Sequence, residues 1–417
     1  MPGHLALPGG AFEPGDRPGE AGDSARCVAR EVAEETGLAI EAGDWIAAGT
    51  RITPPMFPVR FHTDFFVAMA PDGWNPAEQP PSPDEIESLR FVDPVKVLAA
   101  WERGDCQVPP PVLPILRQLA GGDSEDADAV AVGVRRANEL EQRAPRIEFV
   151  PDVWMLPVET ATLPPATHTN VWMPGRRRYV VIDPGCRSPA VLERLREAIG
   201  RRPADHQPLA VVLTHGHQDH ASGATALATM LDVPVQAHPE AARAAGLAEG
   251  AYEPLEDGRT IELDGLSLRS ILTPGHAPGH LAFHVPERRA LIAGDLVSGI
   301  STILIDPEHG DMGAYLDSLE RVRALDCRIL LPGHGSPMPA RALQHLIDHR
   351  RDRESRIGCQ LGGEGTSLSE LARTAYEDVP QMPAALTERQ TLSHLLHLER
   401  MGEARRIDPR GRCWVRG

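Results

Sequence analysis

Apolar runs that end in glycine, histidine or aspartate recur through the second half of the chain. Residues 209–213, 266–272, 290–293 and 329–331 have the apolar character of buried or half-buried strands. A helical pattern at residues 190–199 precedes the first of these runs. Because strands that alternate with helices pack as layers around a sheet, the pattern predicts an α/β fold for this region.

Metal-binding side chains follow four of the predicted strands. Two histidines that are two positions apart on an extended backbone point to the same side. The first cluster has four such groups in six positions, which suits two metal ions better than one. The remaining ligands must come from the ends of later strands. The candidate ligands are His215, His217, Asp219, His220, His276, Asp295 and His334.

The order HxHxDH, distant His, Asp and final His resembles the metallo-β-lactamase superfamily of dinuclear hydrolases. The resemblance implies an αββα sandwich over residues 145–341 and two Zn²⁺ ions, with Mn²⁺ or Fe²⁺ as alternatives. It further implies that a metal-bridging hydroxide attacks the substrate, with Asp219 and Asp295 as catalytic carboxylates. By the same resemblance, one metal would be held by His215, His217 and His276, the other by Asp219, His220 and His334, and Asp295 would bridge both.

Three further residues are assigned roles by the resemblance. Asp183 matches an early acidic position that supports the ligand loop from behind. His280 is expected to support a ligand or to face the substrate. His168 belongs to a segment that lines the site in relatives, although a surface loop histidine is an equal alternative.

The N-terminal region contains a second acidic motif. On a helix Glu31, Glu34 and Glu35 share one face, which suits a solvated surface or a divalent cation such as Mg²⁺ or Mn²⁺. Together with Arg30 and the turn 7–10, they resemble the Nudix box. The resemblance implies an α/β Nudix-like domain over residues 1–120 that hydrolyses nucleoside-diphosphate-linked compounds. Because the box begins close to Met1, the expectation is that this domain lacks its first strands and is incomplete or a remnant.

Two regions flank the predicted hydrolase domain. Residues 121–144 are predicted to be an acidic linker. Residues 342–417 contain three helical patterns and a terminal hairpin, which predict a winged helix. The hairpin could bind a single-stranded backbone and stack a base on an aromatic ring, or it could be solvated or dimerise the chain into a homo-oligomer. Its candidate residues are Arg405, Arg406, Arg410, Arg412, Trp414 and Arg416.

Composition limits the partners and the compartment. The chain has 417 residues and a net charge of −17, which argues against broad nucleic-acid binding, and nothing indicates sequence-specific DNA recognition. No apolar run is long enough to span a bilayer. The six scattered cysteines form no CxxC pair, which favours a reducing compartment and hence a cytoplasmic location.

Three functional hypotheses remain from the sequence. A resemblance to the β-lactamase-like protein 2 group implies a metal-dependent endonuclease that cleaves phosphodiesters of single-stranded RNA. The alternative is a hydrolase of small acyl thioesters, as in glyoxalase II relatives, acting on a small molecule such as an acyl-coenzyme A. A non-enzymatic scaffold is the third hypothesis, and the complete ligand set argues against it.

Overall fold

The computed structural model describes residues 5–13, 23–54, 59–75, 88–122, 126–143, 147–200 and 205–417. The chain divides into two compact units, Met1–Pro151 and Asp152–Gly417. None of the helices within these described ranges combines the length and the apolar character that crossing a bilayer requires.

The first unit is a small mixed α/β assembly. Its strands β1 and β2 pair as an antiparallel hairpin. In chain order its elements are α1 (Asp23–Thr36), β1 (Ile46–Ile52), β2 (His62–Val67), α2 (Pro94–Glu102), α3 (Leu113–Gly121), α4 (Ala127–Arg143) and β3 (Ile147–Val150).

Helix α4 corrects the predicted acidic linker over residues 121–144. Its apolar residues Val130, Ala131 and Val134 are buried against Ala48 and Ile115, so the segment belongs to the core of the first unit. The linker prediction is therefore wrong for residues 127–143. The boundary between the units falls after residue 151 instead of 144.

One sheet of the second unit contains the strand that leads into the loop of clustered histidines. The pairs β4–β5 and β5–β6 are antiparallel, while the pairs from β6 to β9 are parallel. Apolar faces of helices α5 and α7 cover this sheet. Its elements are β4 (Val153–Glu159), β5 (His168–Pro174), β6 (Arg178–Ile182), α5 (Pro189–Gly200), β7 (Gln207–Val212), α6 (Gln218–Ala221), α7 (Ala224–Leu231), β8 (Val235–Ala237), α8 (Pro239–Ala244) and β9 (Glu253–Pro254).

The other sheet carries the later ligand positions. It is antiparallel except for the pair β13–β14, which helix α9 connects. Every residue of β12 and β13 is buried, because both faces of the sheet are covered. Two sheets with helices outside them confirm the predicted α/β fold class. The elements are β10 (Thr260–Glu262), β11 (Ser267–Leu272), β12 (Leu281–Val285), β13 (Ala290–Gly294), α9 (Met312–Arg323), β14 (Ile329–Pro332) and β15 (Met338–Pro339).

The C-terminal part of the second unit has the predicted helices and hairpin. Ser367 begins one helix, and its side chain accepts a hydrogen bond from the Glu370 backbone N–H. A three-stranded sheet of order β16–β18–β17 closes the chain. The name winged helix stays a prediction. The elements are α10 (Ala342–Gln360), β16 (Thr366–Ser367), α11 (Leu368–Ala375), α12 (Ala384–Arg400), β17 (Ala404–Arg406) and β18 (Cys413–Arg416).

Candidate metal centre

The first three histidines converge on one point. The His215 Nε2 atom lies 3.0 Å from the His217 Nδ1 atom, which lies 3.0 Å from the His276 Nε2 atom. Nitrogen ligands of a tetrahedral Zn²⁺ are roughly 3.4 Å apart, given a metal–nitrogen distance of about 2.0–2.1 Å. The three atoms thus form a triad of the right size for one divalent cation.

A second triad lies beside the first. The His220 Nε2 atom is 3.1 Å from the His334 Nε2 atom, and the Asp219 Oδ2 atom is 3.4 Å from the latter. These three ligand atoms form a second group that could hold a metal ion. Two nitrogens and a carboxylate oxygen also suit a divalent cation.

Asp295 stands between the two triads. Its Oδ2 atom lies 3.6 Å from His276 Nε2 in the first triad, while its Oδ1 atom lies 3.4 Å from His220 Nε2 in the second. The Oδ1 atom is buried without a hydrogen-bond partner. Two imidazole nitrogens face this oxygen without hydrogen-bonding to it, His220 Nε2 at 3.4 Å and His334 Nε2 at 3.6 Å, so a cation among these atoms would satisfy all three. The residues present therefore fit a pair of divalent cations.

Four of the five ligand histidines, His215, His220, His276 and His334, have a partner at the ring nitrogen that faces away from the centre. Backbone carbonyls hold two of them: His276 Nδ1 donates to Leu304 at 2.9 Å, and His334 Nδ1 donates to His168 at 2.8 Å. Thr214 Oγ1 lies 2.9 Å from His215 Nδ1. Such partners fix the ring orientation and the tautomer of a metal-binding histidine.

Asp183 lies behind the first ligand loop and is hydrogen-bonded to it. Its carboxylate accepts from the Thr214 backbone N–H at 2.8 Å and from the Thr214 hydroxyl at 2.5 Å. It also lies 2.8 Å from His220 Nδ1. Asp183 has a positive φ of 58° and is almost fully buried. A non-glycine residue in this region is strained and persists because its surroundings hold it there.

The electrostatic environment differs between the two triads. Burial, together with the imidazoles of His276 and His220, lowers the pKa of His217 to about 4, so its ring is neutral and available as a ligand. Burial also disfavours a charge on His334, but the Asp295 and Asp219 carboxylates outweigh it and raise the pKa of His334 to about 9. A cation that binds beside His334 must therefore displace a proton.

The two remaining candidate histidines have different positions. His280 is fully buried, and its Nε2 atom accepts from the Asp295 backbone N–H at 3.1 Å. It therefore supports the Asp295 loop and does not face a substrate. The His168 ring nitrogen Nδ1 lies 2.7 Å from the Thr167 hydroxyl, and the backbone carbonyl of His168 accepts from His334 Nδ1.

Asn170 is a functional position that sequence reasoning missed. Its side-chain amide donates to the Pro332 carbonyl at 3.0 Å and to the Gly335 carbonyl at 2.9 Å. It therefore spans the loop that carries His334. The signal is weak in the sequence because the partners are more than 160 residues away, although Asn170 lies in the segment expected to line the site.

Asn170→Ala is expected to weaken metal binding at the second triad by about 10-fold, because the His334 loop loses its anchor. Two buried carbonyls would lose a donor, so the free energy of unfolding should fall by about 2 kcal/mol. Metal titration and urea denaturation measure the two effects. An unchanged metal affinity would show that the loop keeps its shape without the amide.

The three Nudix-like glutamates lie on α1 as predicted, where Glu31 and Glu34 share Arg30 and Glu35 has a separate partner. Arg30 donates to Glu31 at 2.9 Å and to Glu34 at 3.0 Å, and Glu35 accepts from the Gly9 backbone N–H at 3.1 Å. In the described part of the first unit, no three carboxylates or imidazoles come close enough to hold one cation. Their role as metal ligands stays a prediction.

The C-terminal hairpin does not offer the predicted stacking surface. Trp414 is fully buried in the core beneath the hairpin, and its Nε1–H donates to the Gly411 carbonyl at 2.7 Å. Arg406 pairs with Glu399 and lies 5.7 Å from the Trp414 ring. The interpretation of Trp414 as a base-stacking residue is wrong, because its ring is fully buried in the core and no face is open to a base. Exposed arginines remain at 405, 410, 412 and 416.

Comparisons with known proteins agree with the division of the chain. The sequence pattern of the Metallo-beta-lactamase superfamily matches residues 165–334, and that of the NUDIX domain matches residues 1–109. Lactamase-like protein nscB of Trichophyton rubrum is 31% identical over 244 residues, which cover 51% of this chain and 68% of that protein. A protein of Aspergillus chevalieri named atrochrysone carboxyl ACP thioesterase is 27% identical over 225 residues, 51% of this chain and 69% of its own length.

A solved structure shares the fold. The β-lactamase domain protein from Burkholderia ambifaria superimposes with a TM-score of 0.57 and 20% identity, covering 65% of this chain and 93% of that chain. The fold and the histidine–aspartate centre define a metal-dependent hydrolase. This chain belongs to the metallo-β-lactamase superfamily, and its residues 1–109 match the NUDIX domain.

Proposed function

We propose that this chain is a dinuclear metal hydrolase of acyl thioesters. One cation, Zn²⁺ in the first instance with Mn²⁺ or Fe²⁺ as alternatives, would be held by His215, His217 and His276. The other would be held by Asp219, His220 and His334, with Asp295 shared. Such a pair of cations supplies an activated water and stabilises negative charge on the substrate oxygen. The single observation that carries the hydrolase assignment is the convergence of these side chains around Asp295, whose Oδ1 atom is buried without a hydrogen bond.

The chain's own residues position the reaction. Asp183, Thr214 and the Leu304 and His168 carbonyls hold the imidazoles in fixed orientations. Asp219 is the more exposed of the two catalytic carboxylates, with 16% of its side chain accessible. Burial would raise its pKa, but His334 and His220 outweigh burial and lower it to about 2. Asp219 is therefore ionised at neutral pH, the state in which its Oδ2 atom could serve as a metal ligand.

The thioester substrate is supported by the charge around the centre. In the described part of the chain, no arginine or lysine is hydrogen-bonded or ion-paired to any of the seven ligand side chains. A phosphodiester carries a negative charge that proteins commonly bind with such cations, whereas a thioester is neutral. The net charge of −17 also disfavours a long polyanion such as RNA. The name of the Aspergillus chevalieri relative supports the same substrate class.

Cleavage of single-stranded RNA has less support than thioester hydrolysis. The aromatic residue predicted to stack a base is buried, which leaves only exposed arginines on the hairpin. Membership of the β-lactamase-like protein 2 group, the winged-helix name and a cytoplasmic location remain proposals. For the Nudix domain we retain hydrolysis of a nucleoside-diphosphate-linked compound with Mg²⁺ or Mn²⁺ at Glu31, Glu34 and Glu35.

The purified chain should release thiol from acyl-coenzyme A or acyl-pantetheine and leave labelled single-stranded RNA intact. A thiol-reactive chromophore measures the first reaction, and gel electrophoresis measures the second. Treatment with a chelator should abolish thiol release, and added Zn²⁺ or Mn²⁺ should restore it, because the ligands alone supply no activated water. RNA cleavage without thiol release would replace the thioester proposal by the nuclease hypothesis.

A further inference from the structure

The C-terminal helices hold the chain segment that orients one metal ligand. The carbonyl of Leu304 accepts the hydrogen bond from His276 Nδ1. The carbonyls of its two neighbours, Ile303 and Ile305, accept instead from side chains of α10 and α12. Because the peptide groups on both sides of the Leu304 carbonyl are held by these side chains and each peptide group is planar, the Leu304 carbonyl has little freedom to turn.

The anchoring side chains are polar and buried. Ser393 Oγ donates to the Ile305 carbonyl at 2.6 Å, and Gln390 Nε2 donates to the same oxygen at 2.9 Å. Arg350 donates to the Ile303 carbonyl and also to Gln390 Oε1. The side chains of these three residues are almost entirely shielded from water. Hydrogen bonds in such surroundings resist exchange with solvent and set a fixed geometry.

A second connection reaches the other side of the same ligand. Arg400, at the end of α12, is paired with Asp311. The Asp311 backbone N–H donates to the Gly275 carbonyl at 2.8 Å, one residue before His276. The loop that carries His276 and the segment that orients its ring are therefore both tied to one C-terminal helix.

We propose that Gln390 and Ser393 are positioning residues for the cation held by His215, His217 and His276. The inference rests on the proposed metal centre but not on the identity of the substrate. Loss of these two donors would let the Leu304 carbonyl turn and the His276 ring reorient. The cation beside His334 depends on Asn170 and the His168 carbonyl, so it should keep its affinity.

The test is a Co²⁺ titration of the metal-depleted full chain, followed by visible absorption. His276→Ala and His334→Ala identify which absorption belongs to which triad. Ser393→Ala alone and combined with Gln390→Met should weaken Co²⁺ binding at the His276-dependent triad by about 10-fold, the range seen for partners that orient a ligand. Thr391→Val is the matched control, because Thr391 is buried on the same helix and its hydroxyl has no hydrogen-bond partner.

Two outcomes would overturn the inference. Either the double variant titrates like the unaltered chain, or its loss falls on the His334-dependent absorption. Circular dichroism establishes that each variant is folded, and Ser393→Ala removes only one hydroxyl, so it decides the matter if the double variant does not fold. If the variants show the weakened Co²⁺ binding but the unaltered chain hydrolyses no thioester, the substrate proposal is refuted and the positioning role stands.

Discussion

Asp295→Asn is expected to reduce thiol release by at least about 100-fold and to lower the metal content below two ions per chain. Removing an outer partner of a ligand costs about 10- to 100-fold, and Asp295 is expected to be a ligand of both cations. Asparagine keeps the size of the side chain and the backbone N–H bond to His280, but it lacks the charge that balances two cations. Metal analysis and the thiol-release rate measure the effect.

Asp326→Asn is the matched control for this substitution. Asp326 is an exposed aspartate paired with Arg289, and such surface ion pairs contribute little to stability. The control should keep full activity and full metal content. If Asp295→Asn still bound two ions and kept its rate, the shared role of Asp295 would be wrong, and the Oδ1 atom would need another partner.

Gly185→Ala should have the second largest effect. A Cβ atom at this position would lie 1.5 Å from the Asp219 carbonyl oxygen and 2.2 Å from its carbon, so the backbone at one side must move. Displacement of Asp219 and His220 by about 1 Å is enough to reduce a rate by about 100-fold. The strain should also lower the free energy of unfolding by about 1–3 kcal/mol. Thiol release, metal content and urea denaturation test these expectations.

Gly200→Ala provides the comparison, because a Cβ atom at the end of α5 would meet nothing within 4 Å. It should leave the rate and the stability nearly unchanged. If the two variants had the same thiol-release rate and the same free energy of unfolding, a Cβ atom at Gly185 would not displace the ligand loop.

The ligand positions were predictable because each follows a strand and belongs to a local motif. His215, His217 and His220 lie within six residues, and His276, Asp295 and His334 each follow an apolar run. The structure brings all of these side chains together, which is the arrangement that ligands at the ends of neighbouring strands require. Their binding of metal stays a prediction.

The positions that were missed depend on distant partners. Asn170 and Gln390 look like ordinary polar residues in the sequence. The Asn170 side chain donates to a carbonyl 162 residues away, and the Gln390 side chain donates to one 85 residues away. Trp414 was misread because composition places it among arginines, while its ring is buried in the core. Helix α4 was missed because its apolar face, with Val130 and Val134, becomes evident only against β1.

The seven ligand side chains come from both halves of the second unit's β structure. Four follow β7 in one sheet, and the other three follow strands of the neighbouring sheet. Each cation, when bound, would therefore link the two sheets through its ligands. A ligand that binds only the folded chain stabilises it by mass action. Free metal at 100 times its dissociation constant would therefore add about 2.7 kcal/mol to the free energy of unfolding. The heat resistance of this protein should thus rise and fall with the supply of metal around it.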